Sequence, residues 1–121
     1  MKRIFLTLLI TLVSAIAAAE PDPVTKKEVA HLMGYLASSR CQFNRNGTWY
    51  GAERAVDHLN QKYEYLLDRN LITTTESFID HAASESSISG KPYIVRCDGK
   101  PEIQSSAWFR AELARFRSRP G

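Results

Sequence analysis

The stretch CQFNRNGTWY, residues 41–50, has the pattern of a short β-hairpin. Its first half alternates apolar and polar side chains, and Asn46-Gly47 tolerates the positive φ angles of a two-residue turn. The later stretch PYIVRC, residues 92–97, alternates and contains β-branched residues, so it predicts a third strand. Because a hairpin alone is only marginally stable, we expect these three strands to be covered by helices on one face.

Each of these stretches contains one cysteine, Cys41 at the start of the hairpin and Cys97 at the end of the late strand. In an oxidising compartment an even pair of cysteines favours a disulfide, which places the late strand beside the hairpin. Chain entropy gives this bond a stabilising effect of roughly 4 kcal/mol as an upper figure. Two free buried thiols are the alternative.

Apolar residues recur at helical spacing in four segments of the chain. The predicted helices span residues 26–38, 52–68, 74–84 and 106–117. Capping-box spacing places Thr25 and Thr73 at the starts of the first and third helices, and Ser105 is the expected cap of the last. The fold class that follows is α+β, with about four helices packed on a small antiparallel sheet.

The first 19 residues have the three parts of a cleavable secretory signal. Lys2 and Arg3 give a positive start, residues 4–16 are almost continuously apolar, and three alanines at 17–19 form the cleavage site. The apolar run is short for a bilayer span, and no other stretch approaches that length. We therefore expect export to the periplasm with no membrane span after signal removal, and an uncleaved anchor is the alternative.

Loss of the signal changes the charge balance of the protein. The whole chain has 16 Lys and Arg against 13 Asp and Glu, and removal of Lys2 and Arg3 leaves 14 against 13. A nearly neutral domain lacks the basic face of nucleic-acid-binding proteins, so nucleic acid is not an expected partner. The remaining chain is a short tether at residues 20–24 and a single compact domain at 25–118.

The most unusual stretch lies at residues 84–91, where four serines precede Gly90-Lys91. We call it the serine loop. Hydroxyls, backbone N–H groups and one ammonium group can surround an anion. The spacing matches neither a phosphate-binding P-loop nor the known serine-nucleophile motifs. The structural alternative is a helix exit whose serines bond to loop backbone groups.

If the disulfide forms, the serine loop comes close to the hairpin turn. Arg45 and Lys91 then make a small cationic corner for a phosphate or carboxylate group. The candidate binding residues are Arg45, Asn46, His58, Ser86, Ser87, Ser89 and Lys91. These observations favour a non-enzymatic module that binds an unidentified envelope protein or an anionic envelope component.

An alternative function is a small envelope hydrolase, in which His58 acts as general base for Ser87 or Ser89. No recognised catalytic set supports it, so we assign no catalytic residue. His31, His58 and His81 lie on three different predicted helices and do not form a ligand pair, so we expect no metal site. The sequence implies no cofactor.

Four segments occur in an order that characterises a known family. They are FNRNG at 43–47, AVDHL at 55–59, TESFI at 75–79 and ASESSISGKPYIV at 83–95. The chain resembles the YfeK-like proteins, small periplasmic proteins of Gram-negative bacteria with a domain of unknown function. The resemblance spans about residues 28–115 and implies a periplasmic location and a compact domain, without an established activity or substrate. It does not by itself imply the pair Cys41 and Cys97.

Overall fold

The computed structural model describes residues 3–12 and 21–120. Residues 3–12 are exposed and have no regular secondary structure, and the predicted cleavage site at 17–19 lies outside the described ranges. Residues 23–117 contain helices and an antiparallel sheet, which confirms the α+β fold class. Within the described ranges, no helix has both the length and the apolar character needed to cross a bilayer.

The sheet has four antiparallel strands in the order β2-β1-β3-β4. The strands are β1 (Gln42–Arg45), β2 (Thr48–Tyr50), β3 (Ile94–Arg96) and β4 (Ile103–Gln104). The predicted hairpin is present, with φ angles of 53° at Asn46 and 86° at Gly47. The short strand β4 was not predicted, because two exposed residues are too few to show alternation.

Residues 21–120 contain four helices, which pack together beside this sheet. They are α1 (Pro23–Ser38), α2 (Ala52–Leu67), α3 (Thr75–Ala82) and α4 (Ser105–Arg117). Phe43 of β1 pairs with Val95 of β3, and both side chains are buried in the core. The Trp108 ring of α4 packs edge-on against Phe43, with 5.4 Å between ring centroids. Helices α2 and α4 therefore contact the side of the sheet that carries Phe43 and Val95, and α1 and α3 pack against these two helices.

Three predicted helix starts are wrong by a few residues. Helix α1 begins at Pro23, because Asp22 is the N-cap and accepts a hydrogen bond from the Thr25 N–H at 2.8 Å. Proline suits the first helical turn, where its missing N–H has no helical partner in any case. Thr25 thus lies inside α1, and the last residues of the predicted tether are helical.

The third and fourth helices differ in a similar way. Thr74, one residue later than predicted, caps α3 and forms a capping box with Ser77. The two residues exchange bonds, with Ser77 N–H donating to Thr74 Oγ1 at 3.1 Å and Thr74 N–H to Ser77 Oγ at 3.0 Å. Ser105 is the first residue of α4 rather than its cap, and its N–H donates to the Tyr93 carbonyl at 2.8 Å.

An ion-pair cluster around the buried side chain of Glu28 joins three of the helices. Arg117 of α4 donates two hydrogen bonds to the Glu28 carboxylate of α1, at 2.7 and 2.9 Å. Thr75 of α3 donates a third at 2.6 Å, and Arg117 also contacts Glu76. The Glu28 side chain is buried, which by itself would raise its pKa. The hydrogen bond from Arg117 has the larger effect and lowers the pKa of Glu28. Glu28 is therefore a charged, fully partnered connection between α1, α3 and α4.

The predicted disulfide between Cys41 and Cys97 is present, with 4.4 Å between the Cα atoms. Strand β1 pairs with β3 in a register that sets Gln42 opposite Arg96. One further step of the same register sets Cys41 opposite Cys97. The bond therefore closes one end of the β1–β3 pair.

We predict that the double variant Cys41→Ala, Cys97→Ala folds with a free energy of unfolding lower by up to about 4 kcal/mol, because the unfolded chain regains the entropy that the bond removes. Urea denaturation gives this difference from the midpoints. Reductant should lower the midpoint of the unsubstituted protein and leave that of the variant unchanged. Equal midpoints for the two proteins in oxidising buffer would contradict the prediction.

Candidate functional site

The hairpin turn and the serine loop lie in contact. The side-chain amide of Asn46 donates to Ser86 Oγ at 3.1 Å, and the Ser89 hydroxyl donates to Asn46 Oδ1. The contact follows from the antiparallel pairing of β1 and β3. The end of β1 lies beside the start of β3, so the serine loop, which precedes β3, passes the hairpin turn, which follows β1. Two of the candidate segments named from the sequence are thus neighbours.

The serines of the loop mainly hold its backbone. Ser86 is buried, and its hydroxyl oxygen accepts hydrogen bonds from the N–H groups of Ile88 and Ser89, each at 3.3 Å. Ser89 Oγ accepts from the Lys91 N–H at 3.2 Å. Ser87 is exposed, and its hydroxyl forms no hydrogen bond within the part of the chain that the structure describes. The loop therefore has a fixed shape before any ligand arrives.

A cleft of about 630 Å³ opens between the hairpin, α2 and the serine loop, and we call it the binding cleft. It is lined by Arg45, Asn46, Thr48, Tyr50, His58, Gln61, Lys62, Tyr65, Leu66, His81, Ser86, Ser87, Ile88 and Tyr93. Of the candidate residues, Arg45, Asn46, His58, Ser86 and Ser87 line it. Ser89 is outside this lining but donates a hydrogen bond to Asn46, and Lys91 is exposed outside the lining.

Helix α2 supplies two polar side chains one turn apart, His58 and Lys62. Both contact the hydroxyl of Tyr93, with His58 Nε2 at 3.0 Å and Lys62 Nζ at 3.2 Å. Lys62 also donates to the Glu85 carbonyl at 3.0 Å. Because Tyr93 is buried, these contacts hold the ends of both α2 side chains at the base of the cleft.

Strand β1 supplies Arg45, which lies two residues after Phe43 and so points to the helix-covered side of the sheet. Its guanidinium contacts His58 Nδ1 and donates to the Tyr50 hydroxyl at 3.5 Å. A guanidinium group can only donate, so Nδ1 is the acceptor and the ring proton of His58 is on Nε2. His58 Nε2 therefore donates to the Tyr93 oxygen.

This arrangement keeps His58 neutral. Burial, followed by the positive charges of Arg45 and Lys62, lowers the pKa of His58 to about 4. Burial also lowers the pKa of Lys62, while the Glu85 carboxylate acts in the opposite direction. Burial raises the pKa of Tyr93, so its phenol stays protonated. The positive charge of the cleft comes from Arg45 and Lys62.

The serine–histidine pair of the hydrolase hypothesis is not formed. Both ring nitrogens of His58 are engaged, one by Arg45 and the other by Tyr93, and neither Ser87 nor Ser89 is among its hydrogen-bond partners. Within residues 3–12 and 21–120, no group of three or more His, Cys, Asp or Glu side chains is placed to hold a metal ion.

The sequence alone does not single out Lys62, Tyr93 or Tyr50 as site residues. The signal for Lys62 is its i, i+4 spacing from His58, which puts both on one face of α2. Tyr93 comes one residue before Ile94, whose pairing with Asn44 ends the β1–β3 register next to Arg45. That register depends on a contact between distant parts of the chain.

We predict that the imidazole of His58 titrates near pH 4 in the folded protein, because burial and then the positive charges of Arg45 and Lys62 oppose its protonation. NMR of the imidazole C–H signals measures this midpoint directly. The unfolded chain binds the proton more readily, so this group lowers the folding stability as the pH falls from about 6.5 toward 4. His58→Gln should remove that component, and a midpoint near 6.5 in the folded state would refute the assignment.

Comparisons with known proteins agree with this fold and leave the activity open. The model of the family of unknown function DUF5329 matches residues 23–117. The chain is 37% identical over 94 residues to a protein of Salmonella typhimurium (strain LT2) described as "Uncharacterized protein YfeK", a match that covers 77% of each chain. No solved structure matches. The matched range contains every helix and strand of the described residues as well as the binding cleft, and the chain belongs to the YfeK-like family of unknown function, DUF5329.

Proposed function

We propose that this protein is an exported, non-enzymatic binding module that holds an anionic group, a phosphate or a carboxylate, in the binding cleft. One observation carries the proposal. Arg45 and Lys62 both reach the cleft, and neither has a carboxylate oxygen within 4.0 Å among the residues that the structure describes. Arg117, by contrast, is paired with the carboxylates of Glu28 and Glu76.

The hydrogen-bond donors of the two cations are only partly used. A guanidinium has five N–H groups, and those of Arg45 meet only His58 and Tyr50 within the described residues. The ammonium of Lys62 has three, and two go to Glu85 and Tyr93. The remaining donors can bond to the oxygens of an anion, and charge-assisted hydrogen bonds of this kind are the strong ones.

The Tyr93 hydroxyl adds a further donor. Its oxygen already accepts from His58 and Lys62, so its own hydrogen is directed toward another acceptor. An anion in the cleft supplies that acceptor. His58, held neutral, orients Arg45 on one side and Tyr93 on the other. This role is a positioning one and requires no proton transfer.

Export is supported by two independent features. Residues 1–19 have the pattern of a secretory signal, and a disulfide joins Cys41 and Cys97. Disulfides persist in oxidising compartments such as the bacterial periplasm and are rare in the cytosol. The proposed partner is accordingly a component of the cell envelope that carries an anionic group, or an envelope protein that presents one.

We expect inorganic phosphate to shift the NMR amide signals of the binding cleft, and Lys62→Gln or Arg45→Gln to weaken that binding by about tenfold or more, since each removes a charge-assisted hydrogen bond. The matched control is Lys91→Gln, which removes one positive charge outside the cleft lining. Equal weakening by Lys91→Gln and Lys62→Gln would mean that general charge attraction acts instead of a site in the cleft. Absence of any shift at millimolar phosphate would refute the site.

We expect the mature chain in a Gram-negative host to lack residues 1–19 and to occur in the periplasmic fraction, because the signal is removed on export. Intact-mass spectrometry of the fractions measures both properties. Replacement of Lys2 and Arg3 by glutamate should reduce export, because it removes the positive start of the signal. A full-length chain in the membrane fraction would favour the uncleaved anchor instead.

A further inference from the structure

We infer that the ligand of the binding cleft is an amphipathic organic anion, with a phosphate or carboxylate head at Arg45 and Lys62 and an apolar group of several carbons beside Tyr65 and Ile88. This inference rests on the proposed function and extends it. It concerns the part of the cleft lining that the cationic cluster does not use.

Polarity changes along α2 where it forms the wall of the cleft. His58 and Lys62 are followed one turn later by Tyr65 and Leu66, which also line the cleft. A helical turn advances 5.4 Å, so the apolar part of the wall begins just beyond the lysine. The Tyr65 side chain is 55% exposed even though it borders a concave surface. The wall therefore has a cationic part and an apolar part side by side.

The serine loop places an apolar side chain on the opposite wall. Ile88 lines the same cleft and is 96% exposed, so it has almost no packing partner in the protein. Its position is nevertheless fixed, because its N–H and that of Ser89 bond to the buried Ser86 hydroxyl and the Gly90 N–H bonds to the Ser86 carbonyl. A single exposed isoleucine is ordinary. An isoleucine held by a bonded loop in the same cleft as Tyr65 and Leu66 gives an apolar ligand group a surface to cover.

The size of the cleft agrees with a ligand larger than a bare anion. Its volume of about 630 Å³ is within the range of small-molecule sites, which bury most of an organic ligand. An inorganic phosphate at Arg45 and Lys62 does not cover Ile88, or the face of the Tyr65 ring opposite the Arg69 guanidinium. Each methylene that the ligand buries there strengthens binding by up to about fourfold.

The test compares three probes by NMR titration of the full mature protein: inorganic phosphate, n-hexyl phosphate and n-hexanol. We expect n-hexyl phosphate to bind at least about tenfold more tightly than inorganic phosphate. Ile88→Ser should reduce this gain severalfold and leave the affinity for inorganic phosphate unchanged. Val24→Ser is the matched control, because Val24 is an exposed apolar residue of α1 outside the cleft lining.

The outcomes separate the inference from the function on which it rests. Equal affinities for inorganic and hexyl phosphate, with binding still dependent on Lys62, would overturn the inference and leave anion binding intact. Equal affinities for n-hexanol and n-hexyl phosphate would overturn both, since the charge would then contribute nothing. A hexyl gain that Ile88→Ser and Tyr65→Ser both leave unchanged would overturn the inference by placing the apolar group elsewhere. A smaller hexyl gain in Ile88→Ser, with the gain unchanged in the control Val24→Ser, supports the inference.

Discussion

The register between β1 and β3 is the constraint on which the rest of this structure depends. It sets Phe43 against Val95 in the core, and it is held at both ends. The bond between Cys41 and Cys97 closes one end, while the Asn46 side chain bonds to the serine loop at the other. Because side chains alternate along a strand, a slip of one residue would turn Phe43 and Arg45 to the other face of the sheet. The core and the binding cleft would be lost together.

The binding cleft also ties α2 to the sheet. His58 lies between Arg45 of β1 and Tyr93 just before β3, and Lys62 contacts Tyr93 and the serine loop. Two positive charges are thereby partly removed from water without a carboxylate within 4.0 Å in the described part of the chain. Desolvation of a charge opposes folding. The disulfide and the core around Phe43 and Val95 offset this cost.

Local patterns predicted the parts of the fold that depend on neighbouring residues. Asn46-Gly47 fixed the hairpin because few other dipeptides adopt two positive φ angles, and the spacing of apolar residues located all four helices. The helix starts were less accurate, since Asp22 and Thr74 compete with nearby residues of equal capping ability. The Arg117–Glu28 pair and the short β4 depend on tertiary contacts that no local pattern shows.

The contrast between local patterns and tertiary contacts also explains which residues of the candidate site could be predicted. Arg45, Asn46 and Ser86 could be selected from the sequence because the cysteine pair already linked their two segments. Lys62 and Tyr93 come together only when α2 packs beside the paired strands β1 and β3. Lys91, although next to the serines in sequence, lies outside the cleft lining. The hairpin turn and the serine loop, which were selected from the sequence, thus form one side of the cleft with Arg45. Helix α2 supplies the second positive charge, Lys62.

The neutral state of His58 is what suits this cluster to the proposed binding of an anion. A protonated imidazole could not accept from Arg45, so the guanidinium would lose the contact that aims it into the cleft. With the ring neutral, one nitrogen orients Arg45 and the other orients the Tyr93 hydroxyl, while Lys62 bonds to the same oxygen. In the proposed function, the hydrogen-bond donors of Arg45, Lys62 and Tyr93 are already oriented before an anion enters. Binding therefore loses little side-chain conformational entropy. A site arranged in this way gains affinity from orientation as well as from charge.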